Sequence, residues 1–65
     1  MQWVNVMKGL LVDDSRTARI LIGGWLKELG LTVVEGSNGR EALDRLEEEP
    51  DISVAFVDWI MPVMD

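Results

Sequence analysis

Leu10-Leu11-Val12-Asp13-Asp14-Ser15 is the stretch on which the fold turns. Its three apolar residues, in an unbroken run, read as a short strand covered on both faces, the pattern of a parallel sheet. Asp13, Asp14 and Ser15 then supply side chains that start helices by accepting a backbone N–H. Beyond them Ala18, Leu21, Ile22, Trp25, Leu26 and Leu29 recur at spacings of three and four, the apolar stripe of an amphipathic helix. Gly30 closes that helix as its C-terminal cap. Gly23 and Gly24, inside the stripe, each cost about 1 kcal/mol against alanine and are expected to mark close packing on a sheet.

The alternation continues to the end of the chain. Leu31-Thr32-Val33-Val34-Glu35 reads as a second strand. Asn38 stands three residues before Glu41, a capping-box pattern. The helix opened there is expected to bury Ala42, Leu43 and Leu46 and to carry a solvated acidic end, Glu47-Glu48-Glu49. Pro50 stops it, because its ring cannot continue a helix. Ile52-Ser53-Val54-Ala55-Phe56-Val57 is the third strand. The order is βαβαβ, an α/β chain whose right-handed crossovers make a three-stranded parallel sheet.

Sixty-five residues form one small domain with a thin core. The chain has no cysteine to form a disulfide and no histidine to favour a zinc site, so association with a partner subunit is expected. Net charge is −6, from 12 acidic and 6 basic residues, which argues against binding nucleic acid or an anionic membrane. No apolar run reaches the ~18 residues that span a bilayer. Residues 1–7 lack the pattern of a signal peptide, and the expected location is the cytoplasm. Within them Gln2-Trp3-Val4-Asn5-Val6 is either an extra edge strand or a non-native extension, so the domain is taken as 8–65. The three tryptophans are expected in the core.

Asp58 follows the third strand as Asp13 and Asp14 follow the first. A parallel sheet places all its carboxyl ends on one edge, so the three carboxylates converge if those strands are neighbours. Three hard oxygen donors suit octahedral Mg²⁺. Clustered carboxylates repel one another, which makes such a site costly without the ion. The plainer alternatives are that Asp13 and Asp14 cap a helix and that Asp58 begins a turn. Their joint placement at two strand ends favours the site.

Leu11-Val12-Asp13-Asp14-Ser15 and Val57-Asp58-Trp59-Ile60-Met61-Pro62-Val63-Met64-Asp65 resemble the receiver domain of two-component response regulators, of the chemotaxis type. The resemblance runs from Lys8 to Asp65, and D-x-x-M-P-x-M-D is its most specific part. It implies half of a flavodoxin-like doubly wound fold with strand order 2-1-3. Ligands of such sheets bind where strand order reverses, a rule for which flavodoxins and receivers are themselves the standard examples. By the resemblance Asp58 accepts a phosphoryl group from a histidine kinase. Asp14 is a direct Mg²⁺ ligand, Asp13 acts on the ion mainly through water, and Ile60 offers its backbone carbonyl. Trp59, beside the acceptor, would report metal binding by its emission.

The departures carry equal weight. The family's switch Ser or Thr follows a fourth strand and its Lys a fifth. No Ser, Thr or Lys follows Asp58 here, and Lys8 and Lys27 match neither position. The chain therefore reads as a truncated receiver, a phospho-acceptor and not an enzyme, with a weak Mg²⁺ site and impaired signalling. The second reading is a structural half-domain without signalling activity, a homodimer joined through the bare edge of the third strand and the apolar faces. An aspartate-nucleophile phosphohydrolase is disfavoured, because Ile60 stands where that chemistry needs a second aspartate.

Overall fold

The computed structural model describes residues 7–58. In chain order the elements are β1 (Lys8–Val12), α1 (Arg16–Glu28), β2 (Thr32–Gly36), α2 (Gly39–Glu48) and β3 (Ile52–Val57). The strands form one parallel sheet in the order β2-β1-β3. β1 is therefore central, and its apolar run is the core: Leu10, Leu11 and Val12 are buried, with Leu26 from α1. The continuous apolar reading of β1 follows from that position, since a central strand is covered on both faces.

Side-chain alternation sorts the helices onto opposite faces. Gly23 of α1 lies over Leu11, and Arg19 of α1 pairs with Glu35, the register partner of Leu11. α2 instead crosses Gly36, the partner of Val12. A β carbon at Gly36 would come within 3.3 Å of the Ala42 backbone nitrogen, so the helix sits close because a glycine is there.

The helix ends are set locally. Ser15, not either aspartate, caps α1, its Oγ accepting the Ala18 N–H at 3.1 Å. Gly30 has φ +96°, the left-handed geometry that glycine adopts without a Cβ clash. Its N–H donates to Lys27 and that of Leu31 to Leu26, the paired bonds of a Schellman motif. Because Leu31 completes this motif, β2 starts at Thr32, one residue later than the sequence suggests. Asn38 caps α2 by accepting the Glu41 N–H at 2.8 Å. Glu41 reaches back to the N–H and hydroxyl of Ser37, one residue earlier than the usual capping-box partner.

Several expected core positions are exposed. Leu21, Trp25 and Leu29 of α1 are open, with Trp25 at 57%. α1 seats along Gly23 and Leu26, so its apolar stripe is wider than the contact it makes. α2 buries no residue; Leu43 is 64% exposed and Leu46 is open. That helix rests on β2 and β1 and leaves its other flank uncovered. Gly23 does pack against the sheet, but Gly24 has open space beside it. Trp3 and Trp59 lie outside the described residues, as does the strand-like segment 2–6.

Glu49 also departs from a purely solvated end. It accepts a bond from Lys8 Nζ at 2.6 Å, and Asp51 takes the same ammonium at 3.0 Å. The clasp ties the start of β1 to the turn between α2 and β3. Hydrogen bonds from both acids, Glu49 first, hold the Lys8 pKa above its ordinary value.

Candidate functional site

The sheet continues one residue past each of two strand ends. The Asp13 N–H donates to the Gly36 carbonyl at 3.1 Å, and the Asp58 N–H donates to the Val12 carbonyl at 3.0 Å. Both aspartate backbones are thereby fixed by ladder bonds, on adjacent strands, at the carboxyl edge. Asp14 follows Asp13 in the loop to α1. One carboxylate oxygen from each of Asp13, Asp14 and Asp58 lies within 4.8 Å of the other two. The sequence-predicted trio does come together.

The three differ in setting. Asp13 is 7% exposed, and its Oδ1 accepts the Ser15 N–H at 2.9 Å. Asp58 is half-buried and Asp14 is exposed. A cleft of about 350 Å³ runs beneath, lined by Leu11, Val12, Asp13, Ile22, Phe56, Val57 and Asp58. Its floor is apolar and its rim carries two of the carboxylates.

The donor set fits a hard divalent cation. Three carboxylates converge with no nitrogen or sulfur ligand among them, which suits Mg²⁺ over zinc or copper. Octahedral Mg²⁺ with bonds near 2.1 Å spaces its ligand oxygens about 3 to 4.2 Å apart. Oxygens within 4.8 Å of one another are compatible with direct ligation by some of them and water between others. Ile60, expected to offer its carbonyl, lies outside the described residues.

Two residues at this edge were not singled out by sequence. Arg19 Nη1 donates to the Asp13 carbonyl at 2.6 Å, and its Nε contacts Glu35 Oε1 at 3.1 Å. Neither follows from a motif, since their meeting depends on α1 lying over the β1–β2 pair. The only sequence signal is an arginine one turn into a helix that begins beside an acidic pair.

An open parallel α/β sheet, with carboxylates gathered where strand order reverses, makes this a doubly wound domain with an acidic switch-point site. The family follows from comparison: the chain belongs to the response regulator receiver domains, whose model matches residues 10–65. It is accordingly a receiver domain of two-component signalling. It is 43% identical over 60 residues to the chemotaxis protein CheY1 of Helicobacter pylori, covering 91% of this chain and 48% of that protein. To a CheY homolog of Campylobacter jejuni it is 45% identical, covering 91% and 46% respectively. The chain thus spans about half the length of these relatives. Among solved structures it resembles a chain in the crystal structure of the P1 domain of CheA3 in complex with CheY6 from R. sphaeroides. That match has a TM-score of 0.81 and 38% identity, over 91% of this chain and 47% of the other. The fold is that of half a flavodoxin-like domain.

Proposed function

We propose that this receiver segment accepts a phosphoryl group at Asp58 from a histidine kinase, with Asp13, Asp14, Asp58 and the Ile60 carbonyl holding Mg²⁺. The observation that supports this reading is the meeting of three carboxylates across β1 and β3. A solved relative lies in a complex with a CheA3 P1 domain, which supports a kinase domain as the donor. In the transfer an Asp58 oxygen attacks phosphorus while the P–N bond of the donor phosphohistidine breaks. The electron pair returns to the imidazole and an acyl phosphate forms. When bound, Mg²⁺ would offset the charge on the phosphoryl oxygens. Asp58 supplies the nucleophile, and the β1–β3 ladder keeps its backbone in place.

The protein is the substrate of this transfer and not a turning-over enzyme, and it works in the cytoplasm. Within these 65 residues no hydroxyl or lysine follows Asp58, so the family's switch residue and its lysine clamp have no counterpart among them. Transfer by this chain alone is accordingly slow. Incubation with acetyl phosphate and Mg²⁺, followed by intact mass measurement, tests both parts. A small extent of labelling, lost in Asp58→Asn, is expected. Labelling that survives the substitution overturns Asp58 as acceptor; near-complete labelling overturns the impairment.

A second reading is self-association, favoured by one observation. β3 is an edge strand of the described sheet, with Phe56 and Val57 exposed, and an apolar edge invites pairing with a second copy.

A further inference from the structure

Asp13 and Asp58 take their places from the sheet, but no ladder bond positions Asp14. What holds it is the peptide that precedes it. The Asp13 carbonyl and the Asp14 N–H share one planar unit, so fixing the carbonyl fixes where the Asp14 side chain begins. Arg19 does this, donating from Nη1 to that carbonyl at 2.6 Å while Nε is anchored on Glu35 at 3.1 Å. The Arg19 side chain is largely covered, at 17% exposure, and its planar fork lets one side chain serve both acceptors in a set orientation.

We propose that Arg19 is a positioning residue of the acidic site, setting the Asp13–Asp14 peptide so that the Asp14 carboxylate stands with those of Asp13 and Asp58. The inference rests on reading the cluster as a divalent-cation site. Its sign separates it from simple electrostatics. Deleting a positive charge near three carboxylates should, by Coulomb's law alone, tighten cation binding. Loss of a positioning contact should weaken it, and partners behind a metal ligand commonly matter by roughly tenfold or more.

The experiment is calorimetric titration of the 65-residue chain with Mg²⁺, and separately with Mn²⁺, for wild type, Arg19→Ala and Arg19→Lys. Circular dichroism verifies that each variant is folded. Arg19→Ala should bind each ion roughly tenfold more weakly, and Arg19→Lys should recover part of the loss because it keeps one donor. Repeating the pair in an Asp14→Asn background should nearly abolish the difference, since the ligand being positioned is gone. Equal or tighter binding by folded Arg19→Ala overturns the inference and leaves the cation site standing. So does an undiminished loss in the Asp14→Asn background, which marks a general structural effect. If wild type binds neither ion, the cation-site reading fails and this inference falls with it.

Discussion

Removing a charge from the acidic site should stabilise the protein when no cation is present. Asp14 is the best place to test this, because it is exposed and caps no helix. Its carboxylate has an oxygen within 4.8 Å of one on each of Asp13 and Asp58. At that separation two unit charges repel by about 0.9 kcal/mol in water's dielectric and about 3.5 kcal/mol at an effective value of 20. Exposure puts Asp14 near the lower figure, and salt screens it further. Two neighbours then give about 1 to 2 kcal/mol of relief for Asp14→Asn at low ionic strength. In a domain this small the melting temperature should rise by roughly 7 to 15 °C.

Magnesium should narrow that advantage. A ligand that binds the folded state at tenfold its Kd adds about 1.4 kcal/mol, and wild type should gain this while Asp14→Asn gains less. Thermal melts followed by far-ultraviolet circular dichroism, in EDTA and across a Mg²⁺ series, read both effects. A neutral or destabilised Asp14→Asn in EDTA would show that the carboxylates do not strain the fold. Equal Mg²⁺ gains in the two proteins would refute Asp14 as a ligand.

Gly36→Ala should destabilise by about 1 to 3 kcal/mol, because its methyl meets backbone of α2 at 3.3 Å and not a yielding side chain; denaturant titration measures it. Glu41 has its pKa lowered below 4.5, first by the Ser37 backbone N–H and then by the Ser37 hydroxyl. A depressed carboxylate pKa contributes stability above its unfolded value that is lost as pH falls through the folded one. Glu41→Gln should therefore flatten the acid limb of the stability profile below about pH 4.5, and parallel acid limbs would contradict the assignment. If β3 pairs with a second copy, Val57→Lys should shift sedimentation toward monomer, and a wild type already monomeric at micromolar concentration would end the self-association reading.

The strand run Leu10-Leu11-Val12 was legible because a central parallel strand is buried on both faces and needs no partner information to be read. Gly30, Asn38 and Pro50 were legible for a similar reason: each acts through its own backbone or the next turn. What misled was burial on the helices. The stripe of Trp25 and Leu29, and the pair Leu43 and Leu46, report that a helix has an apolar side; they do not report how wide a surface it meets. The three described strands give each helix a narrow seat, so periodicity overstates the core. Glu49 failed in the other direction, since its bond to Lys8 joins residues that only the sheet's order brings together.

The same distinction divides the acidic site. Asp13 and Asp58 could be located from sequence because each immediately follows a readable strand, and ladder bonds then carry the sheet's geometry into their backbones. Asp14 was expected beside them, but not the contact through which its position passes, that of Arg19, sixteen residues from the glutamate that anchors it. This division has a mechanical consequence. Substitutions that loosen α1 leave the Asp13 and Asp58 backbones on the sheet, while they release the Asp14 carboxylate. Changes at the α1–sheet contact, Gly23→Val for example, should therefore weaken cation binding more than they disturb the β1–β3 pairing. Amide hydrogen exchange at Asp58, compared with Mg²⁺ affinity in the same variant, separates the two. Proportional loss of protection and affinity would mean that the site is held as one unit and that the division is wrong.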